Sequence, residues 1–201
     1  IDRRIAKADA GSGLADHETA ASSCQATSFE FPASGAAMRL YDVIRELRPR
    51  QWTKNLIVFA AFFFAIGDRQ QQVDLPSAFF KTLAAACLFC LVSSAIYIFN
   101  DIRDADLDRA HPIKMRRPIA CGAISVPFAL GLMFVLLAAG LAGSWLLLPG
   151  FALVVLGYAG LQFVYTLWLK KVALVDVFVI ALGFVLRAVA GGVVGGVEIS
   201  G

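Results

Sequence analysis

The densest chemistry in the chain is Asn100-Asp101-Ile102-Arg103-Asp104-Ala105-Asp106-Leu107-Asp108, four aspartates that close a long apolar run and are followed by Arg109, Lys114, Arg116 and Arg117. Carboxylates this close repel one another, and a divalent cation among them relieves the repulsion. On a helix turning ~100° per residue, Asn100, Asp101, Asp104 and Asp108 fall within an arc of about 100°, while Asp106 points elsewhere. Hard oxygen ligands on one face suit Mg²⁺, which keeps several waters and is commonly held by one or two carboxylates plus the phosphates of a substrate. The candidate metal ligands and catalytic residues are therefore Asp101, Asp104 and Asp108, with Asn100 beside them. A merely solvated helix end is the plainer reading, but acidic residues at a helix C-terminus oppose the macrodipole. An EF-hand fails on its own ligand pattern, because Arg109 stands at the glycine position and Met115 at the bidentate glutamate.

The cations after the run, Lys114 and Arg117 above all, are of the right type for phosphate oxygens, Arg as a fork and Lys as a point charge. They serve equally well as topology signals; Pro118 restricts the chain at Arg117 and favours that residue for a fixed contact. Aspartates and arginines together at a membrane edge point to a pyrophosphate-bearing substrate. Two more ionisable residues, Asp176 and Arg187, lie in the last apolar stretch. Their spacing is about three turns, or ~16 Å along one helical face. Charges at such depth usually face a cavity, so this face is expected to line the same pocket; a structural charge paired to another helix is the alternative. Tyr165 suits either that pocket or an interfacial aromatic belt.

The elements that position these residues follow from composition. Hydrophobic residues make up 59% of the chain, charged ones 16%, and the mean hydropathy is +0.72. Soluble domains carry about 25% charged residues, so the fold class is an all-α integral membrane protein. Nothing suggests nucleic-acid binding; a homo-oligomer is left open. Residues 1–37 are rich in Ala, Ser, Gly and charge and read as a disordered tail. From Met38, Leu40, Val43, Ile44 and Leu47 share one face, with Arg39, Glu46 and Arg50 off it, as in an interfacial helix ended by Pro49. Apolar stretches at 52–67, 77–99, 126–148, 151–169 and 172–197 read as five spans. Lys54 then sits in the first turns, snorkelling to the surface or facing a polar cavity.

Cations settle the expected orientation. Arg39, Arg45, Arg48, Arg50 and Lys54 precede span one, Arg103 to Arg117 fill the loop at 100–121, and Lys170 and Lys171 follow span four, whereas the opposite loops offer Arg69 and Lys81. The positive-inside rule places the N-terminus and the aspartate-rich loop in the cytoplasm, and the chain in the cell membrane. Cys87 and Cys90 lack further ligands and read as packing residues. Gly191, Gly192, Gly195 and Gly196 have the small-residue spacing of close helix contacts.

Several of these segments resemble the UbiA superfamily of membrane prenyltransferases. Asn100-Asp101-x-x-Asp104-x-x-x-Asp108 at the end of the second span looks like its first aspartate-rich motif. Leu47-Arg48-Pro49-Arg50-Gln51-Trp52-Thr53-Lys54-Asn55, Asp108-Arg109-Ala110-His111-Pro112, Arg117-Pro118-Ile119-Ala120 and Gly183 to Gly192 are similar to the branch that acts on polyprenyl (decaprenyl) phosphate. The resemblance covers roughly Leu40 to Gly196. It implies a UbiA-type helical bundle and Mg²⁺-dependent transfer of 5-phosphoribosyl from phosphoribosyl pyrophosphate to a polyprenyl phosphate lipid, for cell-wall arabinan precursors. Asp101, Asp104 and Asp108 would hold the metal, Asn100 would orient a metal-bound water or ligand, and Arg50 or Lys54 would hold the acceptor phosphate. The superfamily has about nine spans in two halves; five are expected here, so residues 38–201 correspond to its N-terminal part and half of the pocket is expected elsewhere. A prenyl diphosphate donor with an aromatic or other acceptor would use the same aspartates, and a transporter is the non-enzymatic rival. A transporter would place its charges near the bilayer midplane, not at one edge.

Overall fold

The computed structural model describes residues 35–67, 74–171 and 173–196. The tail expected over 1–37 lies outside them except for its last three residues; Arg69 and the side chain of Lys171 also lie outside. Among the described residues the elements are all helical: α1 Gly35–Glu46, a 3₁₀ helix Pro49–Phe59, α2 Ala60–Gly67, α3 Leu75–Arg109, α4 Val126–Leu147, α5 Pro149–Leu167 and α6 Ala173–Gly195.

Four of these, α3 to α6, are long and apolar enough to cross a membrane. The expected first span differs: it is the 3₁₀ helix followed by the short α2. Side chains explain the tighter coil. Trp52 Nε1 donates to Ser94 Oγ at 3.1 Å, and Asn55 Nδ2 approaches Ser93 Oγ at 3.3 Å and Cys90 Sγ at 3.2 Å. Trp52 is thus tied to α3. A 3₁₀ helix rises ~2.0 Å per residue against ~1.5 Å in an α-helix, so the two pieces reach roughly 34 Å, enough for a hydrocarbon core of about 30 Å.

The most buried of the four long helices is α3. Phe89, Val92 and Ile96 on it pack with Phe151, Val155 and Tyr158 of α5, Val58 of the 3₁₀ helix, and Ala190 and Val194 of α6. Helix α6 crosses the 3₁₀ helix so closely that a Cβ on Gly191 would lie 1.9 Å from the Val58 carbonyl oxygen. Phe134, Val135 and Leu146 of α4 and Val177, Phe178 and Val185 of α6 remain exposed and apolar, as surfaces bathed by lipid would be. Helix α3 extends ten residues past Phe99, so the loop expected over 100–121 is helical as far as Arg109. That extension carries the aspartates.

Candidate functional site

Asp101 and Asp108 are buried at the end of α3, and two arginines from distant segments reach them. Arg48 Nη2 donates to both carboxylate oxygens of Asp101, at 2.6 and 2.5 Å. Arg117 Nη1 donates to Asp101 Oδ1 at 2.9 Å and to Asp108 Oδ2 at 2.5 Å, bridging the pair. Asp104, on the same face of the helix, pairs with Lys170, which also reaches Asn100 Oδ1 at 3.4 Å. Asp106 has a side chain 94% exposed and meets only Arg109, three residues on.

Local structure holds these cations in place. Arg48 joins α1 to the 3₁₀ helix with φ 53° and ψ 58°, the left-handed region that a side chain enters at a cost of about 1–3 kcal/mol. Its guanidinium also lies over the Tyr97 ring, 5.1 Å from the centroid. Arg117 is extended ahead of Pro118, and the segment Pro118–Ala120 is buried against the end of α3. There Arg109 Nε donates to the Ala120 carbonyl at 3.1 Å, and Ile124 N to that of Pro118 at 3.0 Å.

The three aspartates expected on one metal-binding face are each held by a protein cation in this structure. Among the described residues no three acidic, His or Cys side chains converge closely enough to hold an ion. Mutual repulsion is relieved here by interleaved protein cations: Arg117 pairs with both Asp101 and Asp108, and Lys170 pairs with Asp104. The donor set still fits a hard divalent ion, since Mg²⁺ needs only one or two protein carboxylates when phosphates complete its shell.

Glu46 is a further surprise. It was expected on the polar side of α1, yet it is 2% exposed, and its Oε1 has no hydrogen-bond partner among the described residues. Burial, and then the neighbouring Asp101 charge, push its carboxyl up to about 8. A neutral carboxyl beside Asp101 avoids a further buried negative charge.

The remaining expected residues stand apart. Tyr165 donates to Asp176 Oδ1 at 2.8 Å, joining α5 to α6. Arg187 is buried within the bundle: its Nε donates to Asn55 Oδ1 at 2.8 Å, Nη2 to Tyr158 OH at 2.7 Å and Nη1 to the Gly183 carbonyl at 2.8 Å. Its guanidinium stacks 4.6 Å from the Tyr158 ring centroid. Arg50 and Lys114 are exposed. Lys54, with Thr53, opens a groove of about 400 Å³ whose other walls are Leu56, Ile57, Ala60, Phe63 and Phe184. Sequence reasoning missed Arg48, Glu46 and Lys170 as neighbours of the aspartates; Arg48 lay within a quoted motif, but only packing reveals what its fork meets.

Three carboxylates interleaved with three cations can receive a ligand that carries a divalent ion for the former and anionic oxygens for the latter. A sequence model of the UbiA prenyltransferase family matches residues 49–200. The decaprenyl-phosphate phosphoribosyltransferase of Mycolicibacterium smegmatis is 39% identical over 170 residues, 84% of this chain and 53% of that protein. The enzyme of the same description from Corynebacterium glutamicum is 40% identical over 164 residues, 79% of this chain and 47% of that protein. Among solved structures, a UbiA homolog from Archaeoglobus fulgidus bound to GPP and Mg²⁺ superposes with a TM-score of 0.63 at 28% identity, covering 79% of this chain and 56% of that one. The chain thus spans about half the length of the relatives it matches.

Proposed function

The chain belongs to the UbiA prenyltransferase family, and from that premise we propose that the complete protein transfers a 5-phosphoribosyl group from phosphoribosyl pyrophosphate to a polyprenyl phosphate such as decaprenyl phosphate. The observation that carries this reading is the interleaving of Asp101, Asp104 and Asp108 with Arg48, Arg117 and Lys170 at the end of one membrane-spanning helix. The similarity to phosphoribosyltransferases over most of this chain supports the choice of donor.

Asp101 and Asp104, with Asp108, would hold Mg²⁺, and Asn100 would stand beside it. When bound, the ion supplies Lewis-acid neutralisation of pyrophosphate charge. Arg117 and Lys170 would bind pyrophosphate oxygens, a role that their pairing with Asp108 and Asp104 supports. The bond from the ribose anomeric carbon to pyrophosphate breaks with its electron pair leaving on pyrophosphate, and a bond forms from that carbon to an acceptor phosphate oxygen. The developing positive charge on the sugar is met by the acceptor's negative charge. No general base is required, because the acceptor is already an anion.

Lys54 and Thr53, at the mouth of the apolar groove, suit the acceptor: a phosphate at Lys54 and isoprenoid carbons along Ile57, Ala60 and Phe63. Arg48, Arg109, Arg117 and Lys170 lie at the end of the bundle that carries the aspartates, which we assign to the cytoplasmic side of the cell membrane. Residues 38–201 would be the N-terminal part of the catalytic domain.

A prenyl diphosphate donor is the second reading, favoured by the GPP-bound A. fulgidus homolog. The experiment that separates them supplies membranes containing the complete protein with Mg²⁺, polyprenyl phosphate and ribose-labelled phosphoribosyl pyrophosphate. Label in the lipid fraction is expected; an unlabelled lipid fraction, in membranes that do consume a prenyl diphosphate, would overturn the proposal.

A further inference from the structure

Arg48 spends its contacts in an unusual way. Both of its side-chain hydrogen bonds run from Nη2 to Asp101, one to each oxygen, and it is the one residue other than glycine with positive φ among those described. Arg117 would still hold Asp108 if it released Asp101, whereas among the described residues Asp101 is the carboxylate that Arg48 pairs with, the neighbouring Glu46 being held toward its neutral form. We propose that Arg48 is a placeholder: it neutralises Asp101 until a metal-bound diphosphate arrives, then yields the carboxylate to the metal and turns its fork onto the diphosphate. The inference rests on the reading of the site given above and adds a binding residue and an order of binding to it.

The argument is one of charge and space. Asp101, Asp104 and Asp108 already face three cationic side chains, so the cluster is balanced. A divalent ion arriving alone would add uncompensated positive charge beside half-buried guanidinium groups. At the ~2.0–2.1 Å from oxygen that Mg²⁺ requires, it would stand against the Arg48 nitrogen that lies 2.5–2.6 Å from the same oxygens. Metal and guanidinium therefore compete for Asp101. A diphosphate resolves the conflict, because it brings negative charge to match the metal and gives the displaced fork the paired oxygens that suit it. The left-handed backbone at Arg48 and the Tyr97 ring beneath its guanidinium place the swing at the junction of two helical segments. Metal and diphosphate should consequently bind together, each weakly without the other.

The test uses the complete protein in lipid nanodiscs and Mn²⁺ as a spectroscopic substitute for Mg²⁺, with protein-retained ion measured against free ion by electron paramagnetic resonance, with and without pyrophosphate. In the wild type, pyrophosphate should tighten Mn²⁺ retention at least about tenfold, within the usual range of coupling between ligands. R48Q should retain Mn²⁺ alone about tenfold more tightly than wild type and lose most of the pyrophosphate enhancement. R48K, which keeps the charge but not the fork, should fall between, and it decides the matter if R48Q does not fold. Wild-type cooperativity with R48Q, or R48K in its place, indistinguishable from it would overturn the placeholder role alone. A wild type that retains no Mn²⁺ under either condition would overturn the metal-diphosphate site itself, and with it this inference.

Discussion

Asp101→Asn and Asp106→Asn remove one negative charge each, five residues apart on the same helix, and should differ sharply. Asp101 is 2% exposed and accepts three hydrogen bonds from two arginines. Losing the charged partner of such a buried set costs roughly 3–5 kcal/mol, and the asparagine oxygen recovers part of that by accepting one bond, so about 3 kcal/mol is the expected loss of stability. Asp106 projects into solvent and meets one half-exposed arginine, a contact that contributes almost nothing. In activity the contrast is wider: removing a charge that would hold the metal and pyrophosphate should lower turnover by about 10²–10³-fold, the scale seen when a fixed electrostatic group is lost, while Asp106→Asn should stay within about twofold of wild type. Thermal unfolding in detergent and lipid labelling from phosphoribosyl pyrophosphate, each on the complete protein, measure the two effects. An Asp106→Asn as inactive as Asp101→Asn would refute the argument from helical face and burial.

Other perturbations probe different parts of the structure. Glu46 should make stability fall as pH rises: its folded carboxyl titrates near 8 against 4.5 in the unfolded chain, so the contribution is full below about 4.5 and lost by about 8. Glu46→Gln should flatten that slope in metal-free thermal unfolding. Gly191→Ala should destabilise by roughly 1–3 kcal/mol, since its Cβ meets the Val58 backbone and no flexible side chain can give way; unchanged melting would contradict the close crossing. Lys54→Ala should raise the KM for the polyprenyl phosphate several-fold and leave that for the donor unchanged, as kinetics with each substrate varied in turn would report.

Much of the architecture was legible because a bilayer imposes simple rules. The stretches read at 126–148, 151–169 and 172–197 correspond to α4, α5 and α6 within two residues at each end, since apolar runs bounded by Pro, Gly and Lys leave little choice. The aspartates fall on one face if the second span continues as a helix, although 100–121 reads as a loop; the helix runs to Arg109. The 3₁₀ course of Pro49–Phe59 was not legible, because it depends on bonds from Trp52 and Asn55 to a helix about forty residues on. The site divides in the same way. Aspartate positions and the outward turn of Asp106 are local properties of one helix. The partners are not: Arg48 lies 53 residues from Asp101 and Lys170 lies 66 from Asp104, contacts that only the packing of helices creates. Arg187 shows the same limit: the sequence left open whether this charge faces a cavity or pairs with another helix, and its bonds to Asn55, Tyr158 and the Gly183 carbonyl are non-local or depend on packing.

The most direct test of the account is the position of the pyrophosphate group. A cryo-electron microscopy structure of the complete protein with Mg²⁺ and a non-reactive analogue of phosphoribosyl pyrophosphate should show the diphosphate at the end of α3, its metal on Asp101 and Asp104, and Arg48, Arg117 and Lys170 on phosphate oxygens. Diphosphate density away from this helix end, with Arg48 and Arg117 still on Asp101, would contradict the account.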